Sequence, residues 1–209
     1  MAFACDLGPA PEKVVVRSTV GIDLGLSSFA TLSDGSKLDN PRFFRNGEAT
    51  LARRQRELSR KKNGSRGRAI ARLLVQKAHL HVRNLRADFL RKLAATLVGR
   101  YDCIVHEDLN LRGLAAGMPA NSVQDVAWGG FIRALASKAE WTGKWVVPVD
   151  PRGTIIHCSA CGAPAPKTLS DRIHRCDSYR LHMDRDENAA RNILALGRSA
   201  AAVSSQSPH

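Results

Sequence analysis

No uncharged apolar run in this 209-residue chain approaches the roughly 20 residues that a membrane-spanning helix needs. A membrane protein is therefore not expected. The N-terminus, M-A-F-A-C-D-L-G-P-A-P-E, has neither a basic lead nor a long apolar stretch, so no secretory signal is expected. Cysteine is scarce and odd in number: there are five, three of them clustered at 158, 161 and 176. That argues against a disulfide framework and points to a reducing cytoplasm and metal binding. No internal repeat is present, which removes solenoid architectures. Acidic residues are nearly missing from one long segment. Between Arg42 and Arg100 there are 17 Lys/Arg and 3 Asp/Glu. The remainder of the chain is close to neutral, so this segment carries the whole +13 net charge. Such a segment draws a polyphosphate by releasing its counterions, independently of sequence and sensitively to salt. The alternative is a solvated helix pair decorated with charge.

What is present is a globular composition, 44% hydrophobic, long enough to bury a core. Val14 to Val16 and Thr19 to Leu24 are dense in β-branched residues and predict strand. Phe29 to Leu32 predicts a second strand, and Asp34-Gly35 a hairpin turn into a third near 37–39. The period then changes. A helix is expected over about 47–62 and, after the break Asn63-Gly64-Ser65-Arg66-Gly67, a second one. Its apolar face is Leu74, Ala78, Val82, Leu85, Phe89, Leu93 and Leu97, and Gly99 is expected to end it. A buried strand follows at Tyr101 to His106, then a loop at 111–121. Next comes a helix from an N-cap at Ser122 to about Thr142, and a strand at Trp145 to Val149. A short helix from Asp186 to Leu196 closes the order, with Gly197 past its end.

This order predicts an α/β fold, a mixed sheet with helices on its faces. Strand hairpins first and helical crossovers later suit a ribonuclease H-like layout, with the first strand beside the fourth. The expected divisions are a core over 12–150 that includes a basic helical hairpin at 42–100, an insertion over 151–181, a return to the core over 182–199, and a disordered tail over 200–209.

Three carboxylates sit at ends of these elements: Asp23 closing V-G-I-D, Glu107 closing C-I-V-H-E, and Asp186 opening the last helix. Each alone could be a turn or capping residue. If the first and fourth strands are parallel neighbours, Asp23 and Glu107 stand side by side, and the helix brings Asp186 over them. Three such groups repel unless a divalent cation lies between them. Mg²⁺ suits oxygen ligands and leaves room for a substrate phosphate. Two ions about 4 Å apart can clamp an in-line displacement at phosphorus.

V-G-I-D-L-G-L-S-S-F-A-T-L-S-D-G, E-D-L-N, C-S-A-C-G and D-R-D-E-N-A-A-R-N-I-L, in this order, resemble the TnpB (OrfB) proteins of insertion sequences, relatives of the compact type V CRISPR nucleases. A-W-G-G-F-I-R-A-L-A-S-K-A-E-W and L-S-R-K-K-N-G-S-R are also similar to that family, so the likeness runs over about residues 13–198. The resemblance implies a RuvC-like nuclease domain with a zinc-ribbon insertion, and DNA cleavage directed by a guide RNA. It implies that Asp23, Glu107 and Asp186 hold Mg²⁺ or Mn²⁺, with Asp184 a turn or supporting residue, and it places Arg185 and Arg191 near the scissile phosphate. Arg53, Arg54, Arg60, Lys61, Lys62, Arg66 and Arg68 of the basic hairpin are the candidate nucleic-acid contacts. The expected setting is the cytoplasm, near the nucleoid, as a mobile-element protein of prokaryotic type.

The chain departs from the family pattern in three places. Family members carry a large N-terminal half that binds guide RNA and duplex DNA, and this chain begins about a dozen residues before the first strand. The second departure is in the ribbon, which reads Cys158-x₂-Cys161-x₁₄-Cys176-x₂-Tyr179. Zinc takes four ligands in a tetrahedron, and a phenol with pKa near 10 is a poor fourth. His174 or His182 could complete the set; Asp177 is a weaker candidate, and His157 is expected to point away. Third, Pro151-Arg152-Gly153-Thr154-Ile155-Ile156 replaces the more polar lead-in usual before the first cysteine pair, with no consequence assigned. Two functions follow from this: a metal-dependent DNA endonuclease in truncated form, or a catalytically inactive remnant that binds nucleic acid through the basic hairpin.

Overall fold

A computed structural model describes residues 8–9, 11–25, 27–39, 43–108, 123–150, 152–165 and 171–204. The expected loop at 111–121 and the Ser122 cap lie outside the described residues.

The strands are β1 (Thr19–Asp23), β2 (Ala30–Leu32), β3 (Lys37–Leu38), β4 (Cys103–Glu107), β5 (Trp145–Val149), β6 (Ile173–Cys176) and β7 (Leu181–Asp184). The helices are α1 (Phe43–Ser59), α2 (Arg66–Arg100), α3 (Val123–Trp141) and α4 (Arg185–Ser204). Five strands form one mixed sheet in the order β3-β2-β1-β4-β5, and β6 and β7 form a separate hairpin. β1, β2 and β3 run antiparallel, whereas β4 lies parallel to β1 and β5 parallel to β4. The first strand thus lies beside the fourth, as the element order predicts.

Asp102 fixes where β1 and β4 begin. Its carboxylate accepts from the backbone amides of Arg17 and Ser18, both at 3.1 Å, and from the Ser18 hydroxyl at 3.0 Å. These bonds, led by the Arg17 amide, hold its pKa below the usual carboxylate range.

Small residues let α4 lie close on the sheet. A methyl on Gly21 of β1 would stand 2.2 Å from the Ala190 carbonyl oxygen, and one on Gly197 would stand 2.4 Å from Val105 Cγ2. Cys103, Val105, Val149 and Ile193 make one buried cluster there. By strand alternation, Val20, Ile22 and Ile104 point to the opposite face and are also buried. Phe29 meets Phe131 of α3 edge to face, 5.3 Å between ring centres.

Residues 40–93 form a compact unit of their own, and 94–100 of α2 belong with the sheet. Within that unit Gly47 of α1 lies against Val82 of α2. The expected apolar face of α2 is buried or half-buried along its length, Leu97 and Val82 most fully.

Four expectations need correction. Val14 to Val16 is not strand: only Val14 is held, by its amide on the Gly143 carbonyl at 2.9 Å, and Val15 is 79% exposed. Gly99 does not end α2, which continues to Arg100; a glycine can sit inside a helix at a modest cost. Gly197 lies within α4, where its missing side chain admits Val105. Residues 200–204, expected to be disordered, are helical, because α4 runs on to Ser204.

Candidate catalytic and metal sites

The parallel register pairs Ile22 with His106, so Asp23 and Glu107 follow side by side where the two strands end. α4 begins at Arg185, one residue before Asp186. Asp184 Oδ1 accepts from the amides of Asp186 (2.9 Å) and Glu187 (3.2 Å), the arrangement of an N-cap. Asp184 Oδ2 also takes the Lys37 ammonium at 2.6 Å. Burial works against the Asp184 carboxylate, but Lys37 and the Glu187 amide hold its pKa below the ordinary value. The cap role weighed for Asp186 therefore belongs to Asp184.

Asp186 is largely buried and held from two sides. Ser27 donates its hydroxyl to Oδ2 at 3.2 Å, and Arg185 Nε donates to Oδ1 at 3.1 Å. Arg172 in turn donates to the Ser27 hydroxyl at 3.2 Å. Glu107 Oε1 accepts a hydrogen bond from the hydroxyl of Thr154. Asp23 feels the charges of Glu107, Asp186, Arg185 and Asp184. Its pKa is pushed up to about 7 by burial first, then by Glu107 and Asp186, with Arg185 opposing. Burial also raises Glu107, against the Thr154 bond. The three carboxylates thus converge electrostatically. Glu107 faces Thr154, and Asp186 faces Ser27 and Arg185.

The raised Asp23 has a thermodynamic consequence. Between the ordinary pKa of 3.8 and about 7, the folded cation-free chain binds more proton than the unfolded chain. Stability therefore falls as pH rises through that window, by on the order of 4 kcal/mol at full effect. The expected result is a cation-free Tm that drops between about pH 4 and pH 7 and a much flatter profile for Asp23→Asn. A wild-type Tm independent of pH there contradicts the crowded-carboxylate picture.

Of the hairpin residues expected to contact nucleic acid, Arg53, Arg60, Lys61, Lys62 and Arg66 are exposed. Two others have structural work. Arg54 pairs with Glu57 at 2.8 Å, and Arg68 donates to the Leu58 and Lys61 carbonyls at 3.3 and 3.1 Å. It thereby satisfies acceptors that the end of α1 leaves open. Arg191 pairs with Glu187 at 2.7 Å and Arg185 with Asp186.

Among the described residues, the ligand atoms of Cys158, Cys161 and Cys176 form one cluster within 4.8 Å. The first pair is a turn: the Gly162 amide donates to the Cys158 carbonyl at 2.8 Å, and Gly162 takes φ +73. Burial opposes the Cys158 thiolate, but the backbone amides of Ala160 and Cys161 and the neighbouring thiols hold its pKa below the usual thiol value. Cys176 is raised by burial and by Cys161, while the Tyr179 amide donates toward it. The second turn repeats the first. Arg180, placed after Tyr179 as Gly162 is after Cys161, has φ +50, the one positive φ outside glycine among the described residues. Tyr179 thus stands in the fourth corner by backbone, but its side chain is 61% exposed. Neither histidine joins the cluster. His182 is exposed, on the strand face opposite Leu181 and Met183. His174 is buried on the same face of β6 as Cys176.

Residues 2–117, more than half of the chain, match the OrfB_IS605 family, described as a probable transposase. The chain belongs to the OrfB family. Residues 128–193 of this OrfB chain also match the Cas12f1-like TNB domain. A protein of Streptomyces pristinaespiralis named as a candidate RNA-guided DNA endonuclease is 41% identical over 199 residues, covering 93% of this chain and 48% of that protein. The similarly named InsQ of Escherichia coli is 34% identical, covering 87% and 50%. The OrfB chain spans about half the length of these relatives. In fold it is similar to a Cas12f1–sgRNA–target DNA complex (TM-score 0.58, 17% identity, 89% of this chain and 51% of that one). It is also similar to the mini-RNA-guided endonuclease CRISPR-Cas phi3 (TM-score 0.54, 12% identity, 88% and 44%).

Sequence reasoning on the OrfB chain missed the residues that join its two sites. Asn188, fully buried, accepts from the Ser159 amide at 2.9 Å and donates to the His157 carbonyl at 2.8 Å. Asn192 donates to the carbonyls of Thr154 (2.7 Å) and His157 (2.8 Å). The signal was available: two asparagines four apart on one helix, beside Ala189, Ala190 and Ile193, need polar partners where they turn inward.

Proposed function

We propose that this chain is the nuclease-bearing part of a transposon-associated, RNA-guided DNA endonuclease, built on a ribonuclease H-like (RuvC-like) core. DNA phosphodiesters are its substrate, and Asp23, Glu107 and Asp186 hold Mg²⁺ or Mn²⁺. The observation that carries the reading is the convergence of these carboxylates from β1, β4 and the start of α4, strong enough to push Asp23 up to about 7. The sheet order β3-β2-β1-β4-β5 supports the core assignment. The relatives named as RNA-guided DNA endonucleases support the substrate and the guide RNA.

The donor set fits a hard divalent cation: oxygen ligands only, crowded enough that added positive charge relieves their repulsion. When bound, such cations supply activation of a water and stabilisation of the leaving oxygen in an in-line displacement. The chain's own residues do the positioning. Thr154 orients Glu107, Ser27 and Arg185 orient Asp186, and Arg172 braces Ser27. The exposed hairpin cations Arg53, Arg60, Lys61, Lys62 and Arg66 track the nucleic-acid backbone through sequence-independent attraction. Strand cleavage in Mg²⁺ by wild type beside Asp186→Ala, with cognate RNA supplied, decides the reading.

The cysteine cluster is assigned as a structural zinc site with three thiolates. Its two turns with positive φ and its amide-to-sulfur contacts suit a soft tetrahedral ion. Tyr179→Cys is expected to tighten zinc about 10-fold or more, by adding the missing thiolate. Chelator competition measures it, and equal affinity in both proteins would mean that another group already fills the corner.

A second reading, a non-catalytic remnant that binds nucleic acid, is favoured by the tyrosine in a ligand corner and by the carboxylates' separate partners. It predicts salt-sensitive binding with no turnover in the same assay.

A further inference from the structure

One turn of chain touches both sites. Gly153, with φ +83, opens it, and its carbonyl accepts from the amides of Ile156 (3.1 Å) and His157 (3.0 Å). The turn ends at Cys158. Inside it Thr154 is 1% exposed. The Thr154 hydroxyl donates to Glu107 at the end of β4, and its carbonyl accepts from Asn192 at 2.7 Å. Asn188 and Asn192 bind the same turn through His157 and Ser159. Both asparagines project from α4, the helix whose first turn carries Asp186. Thr154 is therefore attached at once to the cysteine turn, to one carboxylate strand and to the carboxylate helix.

We propose that Thr154 is a positioning residue that couples the cysteine cluster to the carboxylate site: its hydroxyl sets the orientation of Glu107, and its own place is set by the turn ending at Cys158. Loading the cysteines therefore changes the affinity of the carboxylates for a divalent cation. By linkage, a cation at the carboxylates changes zinc affinity by the same factor. The inference rests on the carboxylate reading above. The hydroxyl matters because Glu107 is partly desolvated, where one fixed donor decides which way a carboxylate faces. The coupling route is short: a single turn of backbone, clamped by the side-chain amides of Asn188, buried, and Asn192, half-buried. It also gives the Gly153-Thr154-Ile155-Ile156 lead-in a role.

The test is Mn²⁺ binding to the full chain, followed by the paramagnetic resonance signal of free Mn²⁺, with zinc present and after its removal. Wild type, Thr154→Val, Thr154→Ser and Asp186→Ala are compared, with folding checked by circular dichroism. Thr154→Val, which keeps shape and loses the hydroxyl, is expected to weaken Mn²⁺ about 10-fold. Thr154→Ser is expected to stay within about twofold. Removing zinc is expected to weaken Mn²⁺ in wild type and to add little in Thr154→Val, because both act through one contact. If Thr154→Val unfolds, Thr154→Ala takes its place beside Thr154→Ser. Wild-type affinity in Thr154→Val overturns the proposal, as does equal loss in Thr154→Ser. Losses from zinc removal and from Thr154→Val that simply multiply overturn the coupling. If Asp186→Ala binds Mn²⁺ as wild type does, the carboxylate reading itself falls and takes this proposal with it. If Asp186→Ala alone loses binding, only the role of Thr154 falls.

Discussion

Asp186→Ala, Asp23→Ala and Glu107→Ala are each expected to reduce Mg²⁺-dependent DNA cleavage by about 10³-fold or more, a loss of roughly 4 kcal/mol of transition-state stabilisation. Binding to nucleic acid should change by only a few-fold, since the exposed cations of the 40–93 unit are untouched. The reason for the size is shared duty. The three groups come from different elements, and removal of one leaves two that cannot hold the same charge in the same place. Double variants should therefore be little worse than single ones. A nicking assay with gel readout, run in Mg²⁺ and with chelator, measures this. Equal rates for wild type and Asp186→Ala would sink the nuclease reading and leave the binding remnant.

The second large effect is on the fold. Gly21→Ala is expected to destabilise the protein by about 3 kcal/mol or more, lowering Tm by roughly 10 °C. The new methyl would meet the Ala190 carbonyl oxygen at 2.2 Å, the Leu194 amide nitrogen at 2.7 Å and Leu194 Cβ at 2.9 Å. Two of these are helix backbone, which cannot rotate away as a side chain can. Either α4 lifts from β1 or β1 bends, and both move Asp186 from Asp23. Cleavage should therefore fall even at temperatures where the variant stays folded. Gly99→Ala is the control: nothing lies within 4 Å of its added methyl, and alanine favours helix over glycine by about 1 kcal/mol. Scanning calorimetry of the two variants separates a close-approach glycine from an incidental one. An unchanged Tm for Gly21→Ala would disprove the tight packing of α4 on β1.

The strands and the carboxylates were readable in advance because they depend on local pattern. Apolar runs ended by Asp23 and Glu107 announce strands with acidic ends, and a parallel pairing of the first and fourth then puts the acids together. Val14 to Val16 misled, because β-branched composition does not say whether a partner strand exists. The ends of α2 and α4 misled because Gly99 and Gly197 look like stop signals. A glycine inside a helix against a sheet is instead a packing choice, visible only when Val105 is seen opposite Gly197. In the ribbon, spacing found Cys158, Cys161 and Cys176. It could not exclude His182, since that needs the register of β6 with β7. Thr154 was beyond reach: a threonine in a loop carries no pattern, and its partner Glu107 is 47 residues away.

The order of these pieces along the chain also sets a schedule. Asp23 and Glu107 belong to strands that can pair once residue 107 has been made. α4, which carries Asp186 and covers Gly21 and Val105, comes later still. Chains fold during synthesis from the N-terminus onward. The basic α1–α2 unit is thus made well before the carboxylate set is complete. On the nuclease reading proposed above, the carboxylate set is complete only once the helix at 185–204 has been made.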